Sequence, residues 1–481
     1  MLRSILTISH SPIKKLYSLP PLFRSFSMTL PAASIQPQSS ENEIILSNQL
    51  GTRYIILNRP KALNSLSMSM IEQIHEALQK YSASDLCDNI VIKSSNPKFY
   101  CAGGDVVVAA NKAKANDRSV VSYFTKEYAL NYCLATTTKP VVTIIDGITM
   151  GGGVGISVHA PFRVATENTL FAMPETLIGF FTDVGASFYL SRLESELGTY
   201  LGLTGTRLKG RDVFYAGIAT HYIQSDRIPL MEAQLRELSS SKHDVVNSAL
   251  EDFVDESESE YSFSLAPYMK SIARCFKFDT VEDIISALNN ETENPEWAKS
   301  TIETLNKMSP TSLKITLELL RRGKTLSLKQ CLLMESQLAA KSVFSHDFYE
   351  GISELLIKKT KQPKWNPSTL SDISHADIIK NYFSIFVPEA DINLSSKLDF
   401  SVYPFAKYAL PSTEEIRNVV TGQDRSVGSQ ALSVEDVVRL FANRYNFKVG
   451  VKEKVRHVVE NNTLRNPDDK DFNTVNWVYE D

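Results

Sequence analysis

The chain has 481 residues, 43% hydrophobic and 22% charged, which fits a globular protein of two or three domains and excludes disordered and fibrous classes. Lysine and arginine total 51 against 55 aspartate and glutamate, so the net charge of −4 provides no global attraction to nucleic acid or anionic membrane. The longest mostly apolar stretch, Pro140 to Ala160, is broken by Asp146 and a glycine cluster, and five widely spaced cysteines without a CxxC pair argue against a disulfide framework or structural zinc site.

Residues 1–40 carry Arg3, Lys14, Lys15 and Arg24 but no acid, and are rich in serine, leucine and proline. That composition predicts a mitochondrial transit peptide and a matrix location, with cleavage after Phe26 in Arg24-Ser25-Phe26-Ser27. Loss of these four basic residues takes the net charge from −4 to −8, typical of a soluble enzyme.

Two short strands are predicted across Glu43 to Leu57, joined by Asn48-Gln49-Leu50-Gly51 and stopped by Pro60. Ser67 is a plausible N-cap for a helix to about Tyr81, with Met70 or Ile71, Ile74 and Leu78 on one face. A strand near Ile90 to Lys93, a helix from about Val120 to Ala135, a strand at Pro140 to Ile145, a short helix after the glycine cluster and a strand at Phe162 to Thr166 follow. This alternation implies parallel strands with crossover helices. Beyond about Ile223 the pattern turns helical, including Glu296 to Met308 and Ser312 to Arg322, where Leu313, Leu317 and Leu320 form a core-facing stripe. Asp372 to Asp481 is long enough for a small module of its own.

Two glycine loops, Cys101-Ala102-Gly103-Gly104-Asp105 and Met150-Gly151-Gly152-Gly153-Val154-Gly155, stand at the ends of strands. Neither has a phosphate-loop or dinucleotide pattern, but each can offer one N–H to the same carbonyl oxygen, forming an oxyanion hole. The third element is Phe171-Ala172-Met173-Pro174-Glu175, followed eight residues later by Asp183. Two carboxylates can divide proton-transfer or nucleophilic duties if burial and charge separate their pKa values; the plain alternatives are a solvated glutamate and an aspartate helix cap.

The segments NRPKALNSL, SSNPKFYCAGGDV, DGITMGGGVGISVHAPFRVATE, FAMPETLIGFFTDVGASFYL, LTGTRLKGRDVFYAGIATHY, SPTSLKIT and HDFYEGISELLIKKTKQPKW closely resemble the 3-hydroxyisobutyryl-CoA hydrolases of the enoyl-CoA hydratase/isomerase (crotonase) superfamily, over about Glu43 to Pro367. The resemblance implies an α/β fold: a crotonase spiral of ββα units at 43–225, a helical region completing the hydrolase at 226–368, and a C-terminal extension at 372–481. It implies oxyanion donors at Gly104 and Gly152, and a coenzyme A chain passing Lys61, Ala62, Leu63, Ala102, Gly103 and Asp105. Glu127, Glu175, Asp183 and Gly152 would meet the substrate. Hydratases of the superfamily use two glutamates; the first position is Gly155 here and the second is Glu175, while Asp183 replaces their usual glycine. Loss and gain both point to hydrolysis of the thioester, a step of valine breakdown, with Glu175 as nucleophile or general base and Asp183 on the 3-hydroxyl or water. Hydratase or isomerase chemistry is disfavoured by Gly155.

Coenzyme A belongs to the substrate, no separate cofactor is implied, and His159, His221 and His346 show no metal-ligand spacing. His159 and Cys101 read as packing residues. Thr182 and Ala186 stand where the family commonly has proline and glycine, which predicts a freer loop before Asp183. Longer fungal members with such an extension resemble a component of the mitochondrial small ribosomal subunit. The cluster Arg439, Arg444, Lys448, Lys452, Lys454 and Arg456 is a candidate rRNA contact, against the plain reading of a solvated helix face. Oligomerisation stays open.

Overall fold

Strand and helix alternate through the first half of the chain in a computed structural model that describes residues 42–256, 261–394, 396–428, 430–466, 469 and 473–478. The predicted presequence, 1–26, lies outside these residues. The strands are β1 (Ile44–Gln49), β2 (Thr52–Leu57), β3 (Asn89–Ser94), β4 (Phe99–Cys101), β5 (Val141–Ile144), β6 (Ile148–Met150), β7 (Phe162–Ala165), β8 (Leu170–Ala172), β9 (Leu208–Lys209) and β10 (His221–Tyr222). The first helices are α1 (Met68–Ser82), α2 (Val106–Lys114), α3 (Ser119–Thr136), α4 (Gly152–Val158) and α5 (Ala186–Tyr189).

Two sheets result, one ordered β1-β2-β3-β5-β7-β10 and one ordered β4-β6-β8-β9. The pairs β3/β4, β5/β6 and β7/β8 each give one strand to each sheet before the chain crosses over, which is the ββα repeat of the predicted spiral. All pairings from β2 to β10 in the larger sheet are parallel, as crossover helices require. β1 and β2 form the predicted hairpin, whose turn places Leu50 at φ 53°.

Helix α1 starts where the sequence predicts. The Ser67 hydroxyl accepts from Met70 N at 3.1 Å, and Met70, Ile71, Ile74 and Leu78 are buried. The short strands β4, β6, β8, β9 and β10, at two or three residues each, carry no readable periodicity. Yet β4 pairs in parallel with β6, and this register sets the two glycine loops side by side. In the helical region, Pro310–Gly323 buries the predicted Leu313, Leu317 and Leu320, and Leu328–Ser342 packs against α3 and α5.

Residues 42–481 form one compact unit. The extension is fastened to it by polar bonds as well as apolar packing. The Tyr403 hydroxyl donates to Ala160 O at 2.6 Å. The Glu194 carboxylate accepts from Thr413 N and Oγ1 at 3.1 and 2.9 Å and from the buried Lys454 Nζ at 2.7 Å. Buried Lys448 pairs with Glu251. Arg439, Arg444 and Arg456 pair with Asp436, Asp424 and Glu435. Five of the six charges in the basic cluster thus meet carboxylates, two of them, Glu251 and Glu194, from outside the extension, and Lys452 lies over the Phe447 ring, while Arg439, Arg444 and Lys452 stay exposed.

Glu194→Ala leaves Lys454 buried without its counter-ion, and should cost about 2 kcal/mol in denaturant unfolding, most of it recovered when Lys454→Met is added. Wild-type stability in the single variant would contradict this fastening role.

Candidate active site

The site begins with the backbone of the two glycine loops. Leu66 N donates to Gly103 O at 2.8 Å and Asp105 N donates to Leu66 O at 3.0 Å, so the intervening Gly104 N–H faces away from that ladder. Tyr123 of α3 locks the segment, its hydroxyl donating to Leu66 O at 2.9 Å and accepting from Asp105 N at 3.2 Å. Gly152 opens α4, where a first-turn N–H has no intrahelical acceptor. A Cβ at Gly152 would stand 3.1 Å from Gly104 N and run into the Glu127 carboxylate, so only glycine leaves room between the two amides. This pair of N–H groups has the character of an oxyanion hole.

Three carboxylates surround it. Glu127 touches the Gly152 position, and Glu175 Oε1 would lie 2.8 Å from a Cβ on Gly151, a residue held at φ 47°. Asp183 Oδ2 accepts from the Tyr128 hydroxyl at 2.7 Å. All three are buried, and no basic side chain forms an ion pair with any of them among the described residues. Glu127 Oε1 and Glu175 Oε2 have no hydrogen-bond partner among the described residues. Burial, reinforced by the Asp183 charge, raises the Glu127 and Glu175 carboxyls well above the ordinary range. Burial pushes Asp183 up to about 7, with the Tyr128 bond opposing the shift. Such groups titrate as a set, holding protons at neutral pH that ordinary carboxylates release.

The expected carboxylates Glu127, Glu175 and Asp183 thus cluster beside the expected amides Gly104 and Gly152. Asp183 is not a side-chain helix cap: α5 begins after Gly185, and Asp183 contributes only its carbonyl to Ala186 N at 3.0 Å. Nor is its loop freed by the missing proline. Thr182 N donates to Thr316 Oγ1 at 3.2 Å and its hydroxyl to Gly202 O at 2.9 Å, tying the loop to two helices. Gly155 packs so tightly that a Cβ there would lie 2.7 Å from Val184 Cβ and 2.9 Å from Asn131 Nδ2; a second glutamate has no space.

Glu127 is a contact the resemblance implied, but several supporting residues around it had no sequence signal. Tyr123, Glu127 and Asn131 recur every four residues along α3, so the helix turns one polar file into the core. Glu335, 152 residues after Asp183, accepts from Gly185 N at 2.6 Å, Ser187 N at 3.0 Å and Ser187 Oγ at 2.5 Å. It holds the start of α5 while burial raises its own pKa to about 8. His159 Nε2 bonds Val184 O at 2.8 Å, and burial drops its pKa to about 4, consistent with a neutral packing residue. Cys101 Sγ lies 3.0 Å from Asn64 O, and burial pushes its thiol up to about 12, the opposite of an activated nucleophile.

Ala102 N donates to Leu63 O at 3.0 Å, so the residues expected along a coenzyme A chain do meet. Lys61 and Leu63 are exposed, Ala62 and Ala102 half-buried, and Gly103 buried. The Asp105 carboxylate is already committed, to Arg59 Nη2 at 2.8 Å and to Val108 N at 3.4 Å.

A ββα spiral with paired glycine amides at its strand ends defines a class. The chain belongs to the enoyl-CoA hydratase/isomerase family, whose model matches residues 52–383. Among curated relatives, the human protein named 3-hydroxyisobutyryl-CoA hydrolase, mitochondrial, is 44% identical over 345 residues, covering 71% of this chain and 89% of that protein. The Neurospora crassa protein named small ribosomal subunit protein mS47 is 39% identical over 464 residues, covering 92% of this chain and 89% of that one. A carnitinyl-CoA dehydratase from Mycobacterium thermoresistibile superposes with a TM-score of 0.67 at 34% identity, covering 74% of this chain and all of that one.

Two outcomes test this site. The folded-state pKa of Asp183, about 7, exceeds its ordinary 3.8, so the stability linked to that proton is full below about pH 4 and lost as pH rises through 7. The fall in melting temperature between about pH 5 and pH 8 should be smaller in Asp183→Asn than in wild type; equal slopes would refute the shift. Glu335→Ala should cost about 3 kcal/mol in chemical unfolding, with Glu335→Gln losing much less, because the alanine strands three buried donors.

Proposed function

We propose that this chain hydrolyses the coenzyme A thioester of 3-hydroxyisobutyrate in the mitochondrial matrix, releasing the hydroxy acid and free coenzyme A. The observation that carries the reading is the crowding at Gly155 beside the buried Asp183. The position where hydratases place their first glutamate is filled by Val184 and Asn131, whereas an additional carboxyl enters on the Asp183 loop. The relatives named as hydrolases support the same substrate.

In this reading the Gly104 and Gly152 N–H groups polarise the thioester carbonyl and stabilise the oxyanion that forms on it, a role worth about 10²–10³ in rate per donor. Glu175 acts on the carbonyl carbon, by direct attack or by taking a proton from water. Asp183, steadied by Tyr128, receives the 3-hydroxyl or the water and passes protons. Glu127 contacts the acyl end. The exposed strip from Lys61 to Leu63, with Ala102 and Gly103, receives the coenzyme A chain. The described residues need no separate cofactor for these steps.

The relative named mS47 supports a second reading, that the chain also joins the mitochondrial small ribosomal subunit, because its alignment runs through the extension. The internal pairing of Arg439 to Arg456 argues that any such contact uses other surface. Sedimentation of matrix extract at low salt tests this, and absence from the small-subunit fraction would refute it.

For the enzyme, thiol release from 3-hydroxyisobutyryl-CoA and loss of the crotonyl-CoA double bond should be followed separately. Thiol release is expected, abolished by Glu175→Gln and reduced at least about tenfold by Asp183→Asn. Because the Asp183 charge raises the Glu175 pKa, the residual kcat/KM of Asp183→Asn should show its acidic limb at lower pH than wild type. Double-bond loss without thiol release would overturn the assignment.

A further inference from the structure

A cavity of about 440 Å³ lies where residues of the spiral meet 401–409 of the extension, within the size range of small-molecule sites. Much of its lining is apolar or aromatic, including Val158, Phe188, Leu193 and Ile218. Two arginines also line it, and neither pairs with a carboxylate among the described residues. Arg163 is only 5% exposed, yet all its partners are neutral: Nε donates to Ile218 O at 2.6 Å, and Nη1 to Ala160 O at 2.8 Å and the Tyr403 hydroxyl at 3.1 Å. Its Nη2 has no hydrogen bond among the described residues.

Arg192 differs. Its Nε, Nη1 and Nη2 all donate, chiefly to the carbonyls of Phe188, Gly323, Leu326 and Ser401, so it supplies positive charge without free donors. The neighbouring Lys324 is neutralised by Glu196 at 2.6 Å. On the same wall the Tyr189 ring lines the cavity. A buried cation without a counter-ion is costly, and an anion entering this cavity would relieve that cost.

We propose that the cavity binds a small amphipathic monocarboxylate, its carboxylate on Arg163 Nη2 and its aliphatic body against Phe188, Leu193 and Ile218. The one free nitrogen suits a ligand with few acceptor oxygens: a carboxylate has two, whereas a phosphate would carry a third oxygen and a second charge against the apolar lining. The site is separate from the thioester chamber, and its occupancy does not depend on which thioester the enzyme cleaves. Tyr189 packs edge-on against His159 at 6.1 Å between ring centroids, and His159 holds Val184 O, so the cavity wall adjoins the Asp183 loop.

Calorimetric titration of the full chain with octanoate, octanamide and octyl phosphate tests the proposal. Octanoate should bind one-to-one, at least about tenfold tighter than octanamide, and Arg163→Gln should weaken it by a similar factor. Ala406→Trp, on the exposed part of the wall and itself making no bond to Arg163, should also weaken it if Arg163→Gln fails to fold. Binding in Glu175→Gln should match wild type. Absence of octanoate binding, its survival in the folded Arg163 or Ala406 variant, or its loss in Glu175→Gln would overturn the site. Equal binding of octanamide, or tighter binding of octyl phosphate, would overturn the carboxylate assignment.

Discussion

Three carboxyl groups buried beside a pair of free backbone amides, with no cation paired to them among the described residues, set the terms for the rest of this structure. Burying charge in that way is unfavourable, so Glu127, Glu175 and Asp183 hold protons more tightly than free carboxylates do. The fold must keep them together against this cost. α3 presents Tyr123, Glu127, Tyr128 and Asn131 from one rigid helix, and the Asp183 loop is held by Thr182, His159 and Glu335 from three directions. The amides need no side chain, and their alignment follows from the parallel register of β4 and β6. In the proposed reaction a thioester carbonyl placed between them would meet fixed donors, beside acids whose burial raises their proton affinity.

Much of this was legible in the sequence, unevenly. α1, α3 and the longer strands of the larger sheet, β1, β2, β3, β5 and β7, announce themselves through apolar spacing, and α1 also through its Ser67 cap. The smaller sheet does not, since strands of two or three residues have no period, and yet it aligns the site. The glycine loops stood out at strand ends, and Glu175 and Asp183 through their spacing and the family resemblance. Tyr128 and Glu335 could not, because a tyrosine in an apolar helix and a glutamate 152 residues away acquire their roles only through packing. Thr182 shows the reverse error: read as a lost proline it implied freedom, but its backbone N–H and hydroxyl each find an acceptor that proline lacks the groups to use.

The extension also changes meaning in three dimensions. Its lysines and arginines read as a cationic patch when written in a line, but folding turns Lys448 and Lys454 inward onto Glu251 and Glu194 and pairs the arginines with nearby acids. Lys448 and Lys454 fasten the extension to the family core. Elsewhere in the extension, residues 401–409 wall a cavity in which Arg163 keeps an unspent positive charge, a feature that composition cannot reveal.

The central claim is that the site stores protons on buried carboxyls. Infrared difference spectroscopy of the carboxyl C=O stretch, titrated from about pH 4 to pH 9 in wild type and Glu175→Gln, reads that state directly. A protonated carboxyl band that persists to near neutral pH in wild type and is diminished in Glu175→Gln is predicted. Complete ionisation of every carboxyl by about pH 6, identical in both proteins, would contradict the account.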